Sequence, residues 1–249
     1  MRTPRKLSPA DIYHIVARGT GRQLIFEDDE DRQAFMRFLE EALDRAEVEL
    51  YAWCLMGNHV HLLVHAPMEH VSSCMKFLLG RYSQWFNAKS GRVGHLFQER
   101  FRSEPIDTDA YLATVVRYIH ANPEKAGVGA VETYPWSSYQ EYTGEPQLCS
   151  TEFVLSVFGG VESFVKAGVS DGGDAQCIDI PNPSRARIAN SDEQALAIAQ
   201  SLLDVEPNEL KTLPKKERDL RLATLKGAGL SVRQVERITG IGRNTVSRA

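Results

Sequence analysis

Tyr51-Ala-Trp-Cys-Leu-Met-Gly-Asn-His59-Val-His61-Leu-Leu-Val64 reads as two apolar strands joined at Gly57-Asn58. The first strand spans Val48 to Met56 and the second His59 to His65, with turn chemistry between them, which together predict a β-hairpin. Residues two apart on a strand share a face, so His59 and His61 project together while Val60, Leu62 and Val64 point the other way. Two neutral imidazole nitrogens on one face suit a single ion. Alone this is a weak signal, because polar residues on an exposed strand face give the same pattern.

Upstream of the hairpin, Asp11 to Ala17 is rich in β-branched residues and predicts a first strand. The turn Gly19-Thr20-Gly21 follows, and the acidic run Glu27 to Asp31 then leads into a helix striped by Phe35, Phe38, Leu39 and Ala42. Downstream, Pro67 breaks the strand and a helix is expected from about Ser72 to Asn87, with Met75, Leu78, Leu79, Tyr82 and Phe86 at helical spacing. His95 to Ile106 reads as extended. A further helix, Thr108 to Ala121, carries Leu112, Val115, Val116 and Ile119 and is expected to stop near Asn122, because Pro123 disfavours helical geometry in the residue before it. This order of strands and helices implies an antiparallel α+β sheet rather than a βαβ repeat.

Composition bounds the function. The chain has 249 residues, 43% hydrophobic and 25% charged, with no low-complexity block or repeat. Cys54, Cys74, Cys149 and Cys177 show neither CxxC nor zinc-ribbon spacing, which excludes a disulfide framework or a thiolate metal site as the organising feature. No leader-like apolar segment follows Met1, so a soluble protein of the cytoplasm is expected. The net charge of -4 argues against binding nucleic acid through bulk electrostatics. A single-stranded substrate needs only a local basic groove, and acidic residues can sit elsewhere.

Tyr118 and Asn122 add a second constellation. Four residues apart, they share a helix face beside the apolar stripe and can be presented to the sheet. An amide oxygen is a suitable hard third ligand beside two imidazoles, leaving open positions for water and a phosphate, which is a catalytic rather than structural metal pattern. In the segment that follows residue 95, Arg100 and Arg102 alternate with Phe97 and Phe101. That alternation suits either phosphate tracking with aromatic support for bases or ordinary sheet packing. Tyr82, Trp85, Tyr134 and Trp136 read as core. His14, His65, His95 and His120 have no partner recognisable in the sequence and are read as structural.

The stretch from Tyr51 to Val64 resembles the HUH signature of single-tyrosine transposases. Three further blocks, Gly94-His-Leu-Phe-Gln-Glu-Arg-Phe-Arg102, Arg117-Tyr118-Ile-His-Ala-Asn122-Pro-Glu-Lys-Ala-Gly127 and Tyr134-Pro-Trp-Ser-Ser-Tyr139, resemble the REP-associated tyrosine transposase branch in order and separation. The resemblance covers about residues 10 to 145. It implies a ferredoxin-like antiparallel sheet flanked by helices, a Mg²⁺ or Mn²⁺ cofactor, and cleavage of hairpin-bearing single-stranded DNA. It makes His59, His61 and Asn122 metal ligands and Tyr118 the nucleophile. Gly57 departs from the family, where proline often precedes the Asn-His pair.

The chain is thus expected to divide into a nuclease domain over 1–145, a helical extension and linker over 146–190, and an all-helical module over 191–249. Ser191 with Gln194, and Ser231 with Gln234, are capping-box signals in that module. The segment Ser231 to Ala249 resembles a helix-turn-helix that would present Arg243, Asn244, Thr245 and Arg248 to a groove. Two other readings of the whole stay open: a catalytically idle DNA-binding regulator, and a metal-dependent phosphoester hydrolase that makes no use of Tyr118.

Overall fold

The computed structural model describes residues 5–168, 177, 192–228 and 230–249. The expected linker from Val169 to Asn190, apart from Cys177, and the Ser191 end of the first capping box lie outside the described residues.

Four strands form one antiparallel sheet in the order β2-β3-β1-β4, with β1 at Ile12–Arg18, β2 at Glu49–Met56, β3 at His59–His65 and β4 at Arg102–Pro105. Helices α1 (Asp29–Ala46) and α2 (Met68–Ser90) follow β1 and β3. The chain therefore runs βαββαβ with flanking helices, the antiparallel α+β sheet that the pattern of elements implied and the ferredoxin-like arrangement that the resemblance implied.

The alternation of each strand sorts its residues between two layers. Tyr13, Ile15, Ala17, Val60, Leu62 and Val64 face α1 and α2, sharing a core with Phe35, Leu39, Leu78 and Tyr82. The opposite face carries Ile12, Ala52, Cys54, Met56 and Leu63. These pack on α3 (Asp109–Ala126) through Leu112, Val115, Val116 and Ile119. His59 and His61 belong to this second face, so the fold turns both imidazoles toward α3.

The acidic run works as a cap. Asp28 accepts from the Asp31 backbone N–H at 2.9 Å, Asp31 accepts from Glu27 N–H at 2.6 Å, and Lys89 from the end of α2 bridges both carboxylates. These bonds satisfy donors orphaned at the start of α1. Helix α2 begins earlier than its apolar stripe suggested, directly after Pro67, and ends at Gly91, whose φ of 60° is the left-handed C-terminal geometry that glycine adopts without penalty.

Two expectations need correction. The segment 95–106 is extended only over Arg102–Pro105, with an isolated bridge between Gly19 and Phe97 further upstream. Helix α3 does not stop at Asn122 but continues through Pro123 to Ala126. The reason is local: Pro123 has no N–H for the Ile119 carbonyl, and the Asn122 side-chain amide donates there instead at 3.3 Å, as well as to the Tyr118 carbonyl at 2.9 Å.

Beyond α3, the short helices α4 (Tyr139–Thr143), α5 (Thr151–Phe158) and α6 (Val161–Ala167) cover the α3 side of the sheet. Glycines 159 and 160, both at positive φ, split the last two. Helices α7 (Asp192–Leu202), α8 (Lys215–Gly227), α9 (Val232–Thr239) and α10 (Arg243–Arg248) gather a third core around Leu196, Leu222, Val235, Ile238 and Val246. Ser231 and Gln234 form the capping box expected at the start of α9, and Gly240, at φ 67°, ends it. Leu24 of the sheet domain is buried in this same cluster, so the helical module is seated on the rest of the chain. Among the described residues, no helix is long and apolar enough to cross a membrane.

Candidate active site

The hairpin turn that places His59 is held from both sides. The Gly57 carbonyl accepts from Ile25 and Phe26 N–H at 2.8 and 3.1 Å, and the Asn58 carbonyl accepts from Gly19 N–H at 2.9 Å. A Cβ on Gly57 would stand 3.1 Å from Leu24 Cδ2 and 3.4 Å from Glu193 Cγ. The helical module therefore packs over Gly57, and the absence of a side chain there leaves room for it.

His59 and His61 meet edge to face with ring centroids 4.9 Å apart, and the Tyr118 ring stands edge-on to His61 at 5.7 Å. The structure thus brings together three of the residues singled out in the sequence. Asn122, one turn further along α3, is buried. Its nitrogen is engaged by backbone carbonyls, leaving Oδ1 as the amide atom for any ion. The Lys125 ammonium lies 4.2 Å from the centroid of the Tyr118 ring, within cation–π range.

Each imidazole has one nitrogen occupied. Asn58 Oδ1 is 2.7 Å from His59 Nδ1, and His14 Nε2 is 2.9 Å from His61 Nδ1. The two Nε2 atoms are the donors left over. Burial, and then the nearby Arg18 guanidinium, lower the His59 pKa to about 3. His61 is also held well below its ordinary value, first by burial and then by the neighbouring His59, His14, Lys125 and Arg18 charges. Both rings are therefore neutral at physiological pH, the form that ligates metals. Among the described residues no group of three or more His, Cys, Asp or Glu is placed to hold a metal. Two imidazoles with an amide oxygen such as that of Asn122 are a donor mixture that could hold Mg²⁺ or Mn²⁺ with open positions.

Arg18 is the cross-strand partner of His59. With Val16, Gln98, Glu99, Arg100 and Arg102 it lines a small depression beside the site. Arg102 pairs with Glu99 at 3.0 Å, while Arg100 is exposed. The two aromatic residues of this segment pack inward: Phe101 is buried under Arg5, and Phe97 packs against the α1–α2 core. Arg243 and Asn244 open α10, which packs on α8 and α9, and Arg243 is paired with Glu236.

His14, Arg18 and Lys125 escape a reading of motifs. His14 and Arg18 share the β1 face that pairs with the HxH face, a signal visible once the strand register is known. Lys125 is seven residues after Tyr118, on the same side of a helix, but ending the helix at Asn122 concealed it. His120, read as structural, is fully buried with Nε2 2.9 Å from Ser138 Oγ.

Residues 10–122 match the family model of IS200-like transposases. Over these residues the chain is similar to that family. A search of curated proteins finds no match. Among solved structures, a REP-associated tyrosine transposase bound to a REP hairpin is 17% identical with a TM-score of 0.49, covering 61% of this chain and 96% of its own. A protein assigned as a transposase from Deinococcus radiodurans R1 is 21% identical with a TM-score of 0.35, covering 48% of this chain and 95% of its own. The transposase segment contains all four strands, His59, His61, Tyr118 and Asn122, whereas Lys125 and the helical module lie beyond it.

Replacing Asn122 by leucine tests its structural part separately from any ligand role. The change strands the Ile119 carbonyl, so a loss of about 1–3 kcal/mol of stability is expected. Chemical denaturation would measure it, and unchanged stability would mean that the amide does not bridge Pro123.

Proposed function

We propose that this chain is a metal-dependent single-stranded DNA endonuclease and strand transferase that acts at hairpin or repeat sequences through a 5′-phosphotyrosine intermediate. The observation that carries the reading is Tyr118 packed edge-on against His61, with the neutral His59 and His61 rings edge to face 4.9 Å apart on the same strand face. A simple phosphoester hydrolase has no use for a tyrosine there. The resemblance of the sequence blocks to the REP-associated branch supports hairpin DNA as the substrate class.

Tyr118 Oη attacks the scissile phosphorus, the P–O3′ bond breaks, and the phenol proton is lost as the departing 3′ oxygen gains one. The phosphodiester energy is conserved in the phosphotyrosine bond, so a 3′-hydroxyl can later attack the same phosphorus and release Tyr118. A bound Mg²⁺ or Mn²⁺ would be held by His59, His61 and Asn122 and would polarise the phosphate as a Lewis acid. A free phenol has a pKa near 10, so Tyr118 must lose its proton as it attacks, and Lys125, 4.2 Å from the ring centroid, is the cation beside it. Arg18, Arg100 and Arg102 provide the local positive groove that the overall acidic chain requires. Arg243 and Asn244 are assigned to the duplex part of the hairpin.

The test is cleavage of a labelled single-stranded hairpin oligonucleotide with Mn²⁺, Mg²⁺ or chelator, by wild type and His59→Ala. Cleavage that needs the ion and falls at least 100-fold in the variant is expected, on the order seen when a group stabilising developing charge is lost. Equal cleavage in chelator would refute the metal assignment.

A further inference from the structure

We infer that His14, backed by Glu104, forms a hydrogen-bonded relay that fixes His61 in its Nδ1–H tautomer and so keeps His61 Nε2 bare toward the site. The relay crosses three strands. His14 and Glu104 are direct cross-strand partners on β1 and β4. On the other side His14 is opposite Leu63, which makes His61 its diagonal neighbour on β3.

His14 has no solvent exposure, and its ring stacks on His61 with centroids 5.2 Å apart and planes 21° from parallel. A bond between His14 Nε2 and His61 Nδ1 at 2.9 Å needs one donor and one acceptor, so either ring can carry the shared proton. Glu104 breaks the tie. Its Oε2 lies 3.5 Å from His14 Nδ1, which has no hydrogen-bond partner among the described residues. That distance is long for a direct hydrogen bond, yet an ionised carboxylate at this range still favours a proton on the nitrogen facing it. The Tyr111 hydroxyl hydrogen-bonds the same carboxylate and keeps it in place. With a single proton, on Nδ1, His14 accepts at Nε2, and His61 donates from Nδ1. The opposite arrangement would aim a lone pair at the carboxylate and put a proton on the His61 nitrogen needed as a ligand. Neutral histidine ligands commonly have their second nitrogen held in this way, and loss of the outer partner typically lowers metal affinity by about 10–100-fold.

His14 and Glu104 are positioning residues in this account, and the value of the relay for metal binding rests on the proposed function. The experiment is ¹⁵N imidazole NMR of the metal-free protein, paired with Mn²⁺ binding followed by electron paramagnetic resonance. In wild type, His61 should carry its proton on Nδ1. His14→Gln, whose amide oxygen can accept in place of Nε2, should keep that tautomer and most of the Mn²⁺ affinity. His14→Phe, which packs but cannot accept, should shift His61 toward the Nε2–H tautomer and weaken Mn²⁺ binding by about 10–100-fold. Glu104→Leu, at a partly exposed position, repeats the test with the buried ring intact and should give mixed His61 tautomers. An Nδ1–H tautomer that survives in both His14→Phe and Glu104→Leu would overturn the relay. A tautomer switch in a protein whose wild type binds no Mn²⁺ would uphold the relay and refute the metal role of the site.

Discussion

Tyr118→Phe should leave the protein folded and able to bind hairpin DNA, while single-stranded cleavage falls by about 10³-fold or more, to the level of background. The size follows from the proposed role, in which the hydroxyl supplies the attacking atom and without it only positioning and electrostatics remain. The ring itself stays. Its edge-on contact with His61 and its packing under Lys125 are made by carbon atoms that phenylalanine retains. Wild-type melting and DNA affinity with lost cleavage would separate chemistry from structure. Retained cleavage in Tyr118→Phe would place the chain with the phosphoester hydrolases instead.

The largest effect on stability is expected away from the site, at Glu141. This carboxylate is buried and accepts from Trp53 Nε1 at 2.9 Å and from the backbone N–H groups of Gln147, Leu148 and Cys149 at 2.9, 2.7 and 2.8 Å. It ties β2 to α4 and to the loop before α5. Glu141→Leu fills the space but leaves four donors without an acceptor, so a loss of about 3–5 kcal/mol is expected in denaturant titrations. Burial alone would raise the pKa of Glu141, but the hydrogen bonds from Cys149, Leu148, Gln147 and Trp53 outweigh it and hold the carboxyl below its ordinary value.

The signs of the pH dependence follow from linkage. A carboxyl depressed in the folded state adds stability above its unfolded pKa of about 4.3, and this stability is lost as pH falls through the lower folded value. His120 acts in a higher window. Burial lowers it to about 3, so below about pH 6.5 only the unfolded chain takes up its proton and stability begins to fall there. Wild type should therefore weaken in two stages on acidification. Glu141→Leu should lack the lower stage and keep the upper one, and a variant with an unchanged acid profile would show that the carboxylate is not ionised in the fold.

Much of the sheet was legible because its signals are local. The continuous apolar run of β2, the histidines two apart on β3, the turn residues Gly57-Asn58 and the stripe of α2 each lie within one short window. The helix through Pro123 was not legible, because the proline rule applies to the backbone alone. Here a side chain, Asn122, provides the donor that the imino acid lacks. The same residue thus carries both the ligand assignment and the exception that hid Lys125. His14 was missed for a different reason. Its partner His61 is 47 residues away, and only the pairing of β1 with β3 brings them together. For Phe97 and Phe101, alternation with arginine left base stacking and sheet packing both open, and the rings serve the core.

The distribution of charge accommodates the proposed DNA substrate despite the acidic overall charge. Acidic residues are spent on caps and bridges such as Asp28, Asp31 and Asp204, while Arg18, Arg100, Arg102 and Lys125 collect around the HxH face. Binding should then be strongly salt-dependent only to the extent of these few contacts.

The most direct test of the central claim is the mass of the product formed when wild-type protein meets a single-stranded hairpin oligonucleotide carrying distinct labels at its two ends, in Mn²⁺. The account predicts a covalent adduct in which the fragment downstream of the cut is joined through its 5′-phosphate to the peptide containing Tyr118, with a free 3′-hydroxyl on the other fragment. Cleavage that yields two free fragments and no adduct, or an adduct on a different residue, would contradict it.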